Sequence, residues 1–168
     1  MAQEAFLENQ SLSNEIHYWV DQLGLLPHPE GGFYKETYRS FEKTAFPERS
    51  LCTCIYFLLT SENVSRFHRI KSDEHWFYHA GSPLTVHMLT EKGHEQLPIG
   101  TNLEAGQTPF ATVPKNTIFG SSVQAENSYS LVSCVVAPGF DFADFELFER
   151  DFLLQAFPGN ENIILKLT

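Results

Sequence analysis

The chain has 168 residues, of which 42% are hydrophobic and 19% are charged, and its formal net charge is −10. This length and composition favour one globular domain with a sizeable core and exclude a disordered chain. The acidic charge argues against nucleic acid and anionic membranes as partners, because both are bound by clustered Lys and Arg. No apolar stretch is long enough to span a membrane, and the N-terminus lacks the pattern of a secretory signal. The odd number of cysteines, three, indicates free thiols and a cytoplasmic protein.

The first predicted element in the chain is an amphipathic helix. Its apolar face has the i, i+3, i+4, i+7 spacing and consists of Ile16, Trp19, Val20 and Leu23. Ser13 or Asn14 is expected to cap its N-terminus, and Gly24 is expected to end it. Residues 27–32 contain two prolines and two glycines, which predicts an irregular loop.

Strand patterns dominate from residue 33 onward, because apolar, aromatic and β-branched stretches are separated by turn residues. The predicted strands are residues 33–39, 51–60, 65–70, 75–79, 84–89, 95–99, 110–113, 117–123 and 129–137. Short strands at this spacing predict an all-β sandwich or barrel. Two short helices are predicted over residues 150–157 and 162–167. We expect one domain over residues 1–168, with a helical N-terminal segment and loop (1–32), a barrel (33–138) and a C-terminal segment (139–168).

Four of the seven histidines fall within twenty residues, and they are His68, His75, His79 and His87. Histidines clustered with carboxylates are typical of both metal sites and acid–base catalysis. Side chains alternate along a strand, so an inward Glu74 places Trp76 and Tyr78 inside as well. His75 and His79 then face outward, and we expect them and His87 to be strand-surface or interface residues. The interior receives His68 and Glu74, as an acid–base pair or as a buried hydrogen-bonded pair without chemistry.

The segment around these residues resembles the first conserved motif of the cupins, which contains two histidines, a glutamate and a glycine. Three of those positions are occupied, by His68, Glu74 and Gly81. Ile70 stands where the second histidine is expected. The second cupin motif is similar to the segment that begins at Pro114, where Asn116 and Phe119 replace its glycine and histidine. Two of the four usual metal ligands are replaced, so we predict neither a bound metal nor another cofactor.

A closer resemblance covers nearly the whole chain. Residues 27–40, 68–81 and 136–146 are similar, in this order, to blocks of the cupin-like family of unknown function known as cupin family 5. The resemblance implies a double-stranded β-helix, or jelly-roll cupin barrel, which is usually dimeric and related in shape to cupin epimerases of nucleotide-linked deoxysugars. Relatives commonly have Trp and Gln at the positions of Ile118 and Phe119, which implies a more apolar pocket wall in this chain.

Two further segments have both a structural and a functional interpretation. The loop at residues 27–32 is either a ligand loop, with Glu30 as its functional residue, or a turn that only needs the glycine backbone. Glu30 is equally a candidate partner for Arg39 or Arg66. The acidic residues 141–151 are interpreted as a solvated face above packed phenylalanines, in preference to a paired-carboxylate site.

The leading hypothesis is a small-molecule-binding cupin whose sugar- or nucleotide-like ligand occupies the barrel interior. If the protein is an enzyme, we predict an isomerase or epimerase in which His68 is the general base next to a carbonyl, since its ordinary pKa lies near neutrality. Glu74 orients the imidazole or stabilises its cation, and Tyr78 or Tyr56 supplies a proton on the opposite face. The predicted ligand-binding residues are Glu30, Tyr56, Trp76 and Phe119, of which the last two form stacking walls.

Two alternatives belong to other classes of protein. One is a metal-dependent cupin enzyme, in which His79 or His87 completes an unusual ligand set with His68 and Glu74. The other is a non-catalytic binding or storage module. We also expect a homodimer, in which the strand at residues 33–39 pairs across the interface.

Overall fold

The computed structural model describes residues 2–45 and 48–168, with side chains from residue 11 onward. Its first element is helix α1 (Ala2–Leu23), and Gly24 follows with a φ of +63°. The predicted helix and its end at Gly24 are confirmed, but the predicted start is wrong, because Ser13 and Asn14 lie inside the helix. The residues before them are mostly Ala, Glu, Gln and Leu, which favour helix, so the helix extends beyond the expected cap.

Eleven strands in the described part of the chain form two antiparallel sheets. The six-stranded sheet has the order β1 (Leu26–Pro27), β2 (Phe33–Arg39), β3 (Thr53–Thr60), β10 (Tyr129–Ala137), β5 (Asp73–Gly81) and β8 (Phe110–Val113). The five-stranded sheet has the order β11 (Glu146–Leu147), β4 (Val64–Arg69), β9 (Ile118–Val123), β6 (Leu84–Thr90) and β7 (Gly93–Ile99). The prediction of an all-β jelly-roll barrel is confirmed. Every predicted strand is present, and only the two-residue strands β1 and β11 are additional.

The main hydrophobic core lies between the two sheets. Alternate strand residues point into it, and its fully buried members include Leu59, Leu84, Val86, Phe119 and Val132. Outside the barrel, α1 packs on the six-stranded sheet around Leu58 and Leu131, and the Trp19 indole N–H donates to the Tyr129 hydroxyl at 2.9 Å. Each large apolar side chain buried in this way stabilises the fold by about 1.5–3 kcal/mol.

Two short helices confirm the predicted C-terminal helical segment. They are α2 (Arg150–Ala156) and α3 (Glu161–Lys166), and Leu153 and Ile164 anchor them to Phe67 of the five-stranded sheet. In the described part of the chain, no helix is both long and apolar enough to cross a membrane.

Residues 139–145, which we call the cover, lie across one end of the barrel. The backbone N–H of Phe140 donates to a threonine hydroxyl on β3 at 2.9 Å, and β11 ties the other end of the cover to β4. The Asp144 carboxylate accepts a hydrogen bond from Arg49 Nε at 2.7 Å and lies 3.2 Å from Lys71 Nζ. Asp144 is therefore not the solvated acid that we predicted for residues 141–151, because two cations enclose it. The cover sets the position of the cavity described next.

Candidate functional site

A cavity of about 330 Å³ lies between the two sheets beneath the cover. Its polar lining comes from several elements, because His68 is on β4, Glu74 is on β5, and His28 and Glu30 belong to the loop before β2. Its apolar lining includes Ile55, Ile70, Val136, Phe140, Phe142 and Phe145. The cavity therefore joins a buried acid–base cluster to an aromatic opening.

The buried end of the cavity is organised by a hydrogen-bonded pair, His68 and Glu30. His68 Nδ1 lies 2.6 Å from Glu30 Oε2 and 2.7 Å from the backbone oxygen of Arg66. Both partners are acceptors, so Nδ1 carries a proton and donates it to them. Nε2 has no hydrogen-bond partner among the described residues, and the ring lines the cavity with only 5% of its side chain exposed. This arrangement leaves Nε2 available to a ligand.

Strand β4 holds Glu30 in place through two further contacts. The Ser65 hydroxyl donates to Glu30 Oε2 at 2.8 Å, and the Arg66 backbone N–H donates to the Glu30 backbone oxygen at 3.1 Å. The next residue, Gly31, has a φ of +116°, and a Cβ there would lie 2.0 Å from the Val64 backbone oxygen. A glycine is therefore required at this position for the loop to bring Glu30 to His68.

The electrostatics of the pair make His68 a stronger base beside an ionised Glu30. Burial alone would lower the pKa of His68, but the adjacent Glu30 carboxylate and the Arg66 carbonyl raise it above its ordinary value. Burial would raise the pKa of Glu30, whereas His68 and Ser65 lower it overall. Glu30 also lies 3.1 Å from His28 Nδ1, and burial lowers the pKa of that histidine. Glu30 is thus a carboxylate between two imidazoles.

Glu74 is the second titratable group of the cavity and has the opposite character. Burial raises the pKa of Glu74 to about 7, with His68 lowering it and Glu30 raising it further. The Cys134 thiol donates a hydrogen bond to this carboxyl group, and burial raises the pKa of Cys134 well above its ordinary range. A base with one free nitrogen and a carboxylic acid that retains its proton near neutral pH therefore line one cavity, a pairing that suits acid–base chemistry.

A family model described as "Cupin superfamily (DUF985)" matches residues 17–148. The chain belongs to this family. A hypothetical protein from Leishmania major is 39% identical, with a TM-score of 0.86 over 90% of this chain and 97% of its own. Protein SO0799 from Shewanella oneidensis is 45% identical, with a TM-score of 0.83 over 89% of this chain and 94% of its own. The uncharacterized yeast protein YML079W of Saccharomyces cerevisiae is 27% identical over 90% of this chain and 82% of its own.

Three of the residues predicted for the site, His68, Glu74 and Glu30, meet in the cavity of this cupin. Phe119 packs against the His68 ring at a centroid distance of 4.2 Å and is 1% exposed, so it supports the ring from behind. Trp76 is also buried, between Phe119 and Phe57, and does not line the cavity. These two aromatic residues belong to the core beneath the site.

The two tyrosines predicted for the site lie elsewhere in the structure. Thr53 and Ile55 line the cavity, so alternation turns Tyr56 to the outer face of the sheet, where it packs in the cluster beneath α1. Tyr78 lies beside a register shift between β5 and β10, and its hydroxyl donates to the backbone oxygen of Gly81. The tyrosine that does line the cavity is Tyr34, whose ring contacts His28 edge to face at 4.5 Å.

The remaining histidines of the cluster lie outside the cavity. His75 and His79 face outward from the six-stranded sheet, bonded to Thr112 and Ser133, as alternation predicts. The prediction for His87 is wrong, because it is 7% exposed and lies near α3 beneath Lys166, with His94 Nε2 2.9 Å from its Nδ1. Neither His79 nor His87 reaches His68. Among the described residues, no group of three or more His, Cys, Asp or Glu side chains is arranged to hold a metal ion.

Sequence reasoning missed Tyr34, Cys134 and the ion pair of Arg39 with Glu36, all of which line the cavity. Arg39 is one of the candidate partners of Glu30, but its Nε and Nη2 atoms donate to Glu36 at 2.9 and 2.7 Å. The pattern of alternation identifies Tyr34 and Glu36 as sharing a face of β2. A register shift between Glu36 and Tyr38 then breaks that alternation and brings Arg39 to the same side.

Proposed function

We propose that this cupin binds a small carbohydrate-like carbonyl compound in the cavity and isomerises or epimerises it by proton transfer. The observation that carries the proposal is the His68 ring. Its Nδ1–H is held by Glu30 and Arg66, while Nε2 faces the cavity and has no partner in the described part of the chain. A histidine oriented by a carboxylate is a typical general base. Glu30 therefore takes the orienting role that the sequence hypothesis gave to Glu74.

In the proposed reaction, His68 Nε2 takes the proton from the carbon next to the carbonyl. The C–H electron pair becomes a carbon–carbon double bond, and the carbonyl π pair moves to the oxygen, which receives the proton of Glu74. For isomerisation, His68 returns its proton to the neighbouring carbon while Glu74 takes the proton of the second hydroxyl. For epimerisation, Tyr34 protonates the opposite face of the first carbon and Glu74 takes back its proton. Water then carries the proton of His68 to the tyrosinate, which restores both groups. Tyr34 replaces Tyr78 and Tyr56 in this role because it lines the cavity.

Solvent exchange tests the proton transfer without knowledge of the product. Aldoses, ketoses, sugar phosphates and nucleotide sugars are incubated with the protein in D₂O, and deuterium at the carbon next to the carbonyl is measured by mass spectrometry. We expect exchange with at least one compound and a loss of about 10²–10⁴-fold in His68→Asn. His75→Asn is the matched control, because its ring lies outside the cavity, and it should retain the rate.

Two results would contradict this proposal. Exchange that persists in His68→Asn at the wild-type rate would exclude His68 as the base. A wild-type protein that binds compounds of the panel without exchanging any proton would instead support the alternative of a non-catalytic binding module.

We further propose a cytoplasmic homodimer. The free thiols Cys52, Cys54 and Cys134 are consistent with a reducing compartment. Strand β1 pairs only with Phe33 and Tyr34 of β2, so among the described residues the rest of β2 has an open edge that a second copy fits. Size exclusion with light scattering is expected to give twice the chain mass of 19.1 kDa, and a monomer at micromolar concentration would refute the dimer.

A further inference from the structure

We infer that the cavity selects a ligand that carries no phosphate or other anionic group and that places an apolar ring beneath the cover. This inference rests on the proposed function, since it names the substrate class of the same cavity. The sequence leaves both sugar-like and nucleotide-like ligands open, and this inference excludes the nucleotide-like ones because they carry phosphate. Its test is a binding measurement, so its outcome does not depend on catalysis.

The charges of the lining oppose an anionic ligand. Among the described residues, four carboxyl groups line the cavity, those of Glu30, Glu36, Glu74 and Asp141. The cations that face them are the guanidinium of Arg39 and, when protonated, the imidazole of His68, which is already paired with Glu30 at 2.6 Å. Burial, and to a lesser extent the negative charge of Glu30, raises the pKa of Glu74, so a further negative charge is unfavourable at this end of the cavity. A phosphate group would add up to two negative charges to this lining.

Arg39 is already neutralised by Glu36, so it compensates poorly for such a group. Its Nε and Nη2 atoms are bonded to Glu36, and its Nη1 atom donates to the backbone oxygen of Phe140 at 3.1 Å. Two cations beside the cover, Arg49 and Lys71, are paired with Asp144. Phosphate recognition normally needs free Arg or Lys donors, or several backbone N–H groups aimed at one point.

The other half of the cavity is built for an apolar ring. Phe140, Phe142 and Phe145 contact one another at centroid distances of 5.0–6.3 Å, and Phe145 stacks on His68 at 5.3 Å. Phe142 remains 58% exposed although it lines the cavity. A ligand ring against Phe142 would bury that surface, which is favourable. His68 Nε2, which no described residue contacts through a hydrogen bond, marks the polar end of the same ligand, on a side chain that is 5% exposed.

Three compounds that share one ring test the charge selection. They are 2-naphthylmethanol, 2-naphthylmethylamine and 2-naphthylmethyl phosphate, titrated by calorimetry at pH 7.5 and low ionic strength. We expect the alcohol and the amine to bind at least tenfold more tightly than the phosphate. Equal or tighter binding of the phosphate would overturn the inference, as would a failure of all three compounds to bind.

Variants locate the selection within the cavity. Glu36→Gln with Asp141→Asn should reduce the difference between alcohol and phosphate at least threefold, whereas the surface change Glu146→Gln should leave it unaltered. Phe142→Ala should weaken the binding of the alcohol and the amine at least threefold, and unchanged affinities would refute the ring position.

Repeating the titrations with His68→Asn distinguishes the inference from the proposed function. If His68→Asn loses proton exchange but still prefers the alcohol and the amine to the phosphate, both proposals are supported. If the wild-type protein shows this preference but exchanges no proton, only the catalytic proposal is refuted.

Discussion

Glu74→Gln is expected to remove a pH-dependent loss of stability from the folded protein. Burial raises the pKa of Glu74 from 4.5 to about 7, so the folded state keeps a proton that the unfolded state loses in this range. Stability therefore falls as the pH rises from 4.5 through 7. At about 1.4 kcal/mol for each pKa unit, the loss contributed by Glu74 is about 3 kcal/mol above pH 7. Gln keeps the size and the hydrogen-bonding capacity of the side chain but has no proton to lose.

The measurement is urea unfolding of both proteins at several pH values between 4.5 and 8.5, followed by tryptophan fluorescence, with Trp76 buried in the core. The free energy of unfolding of the variant minus that of the wild type should rise by about 3 kcal/mol over this range. Ile55→Val is the control, since it changes a lining residue without a titratable group and should cost about 1 kcal/mol at every pH. A difference between Glu74→Gln and wild type that is constant or falls with pH would refute the reasoning.

Three further predictions concern the loop, the base and the second histidine cluster. Gly31→Ala places a Cβ 2.0 Å from a backbone oxygen and should lower the melting temperature and abolish exchange activity; retention of both would contradict the loop geometry. Glu30→Gln removes the carboxylate that raises the pKa of His68, so the acid limb of the exchange rate should move to lower pH, and an unmoved limb would count against the pair. Burial, His94 and Lys166 lower the pKa of His87 to about 4, so wild type loses up to about 3 kcal/mol of stability as the pH falls from 6.5 to 4. His87→Asn should lack this loss in urea titrations, and parallel wild-type and variant curves would argue against it.

Alternation along single strands is the part of the structure that the sequence predicts well. It identifies the strands, the inward side of Glu74 and the outward side of His75 because each depends only on neighbours within one strand. Alternation also places Tyr78 on the core side of β5 correctly, but it does not show that this residue lies outside the cavity. The position of Tyr56 is not predicted, because alternation divides the residues of β3 between two faces without showing which face lines the cavity and which one α1 covers.

Contacts between distant segments account for what the sequence does not predict. Glu30 and His68 are separated along the chain by a hairpin of strands, and only the closed barrel brings their side chains to 2.6 Å. His87 is typical of an exposed strand residue until α3 is placed near it, and no local pattern predicts where that helix docks. The helix start is missed for a simpler reason, because a serine that can cap a helix also fits inside one when good helix formers precede it.

His68 and Glu74 lie on opposite sheets, and Glu30 lies on a third segment. This placement means that a ligand can be detected by its effect on the stability of the whole domain. A compound that contacts all three groups links both halves of the barrel, so its binding energy opposes unfolding of the whole domain. At a concentration a hundred times its Kd, it adds about 2.7 kcal/mol to the unfolding free energy. For a chain of this size, such a gain raises Tm by roughly 5–10 °C. Thermal melting of the wild-type protein against a chemical library is therefore a direct route to a natural ligand.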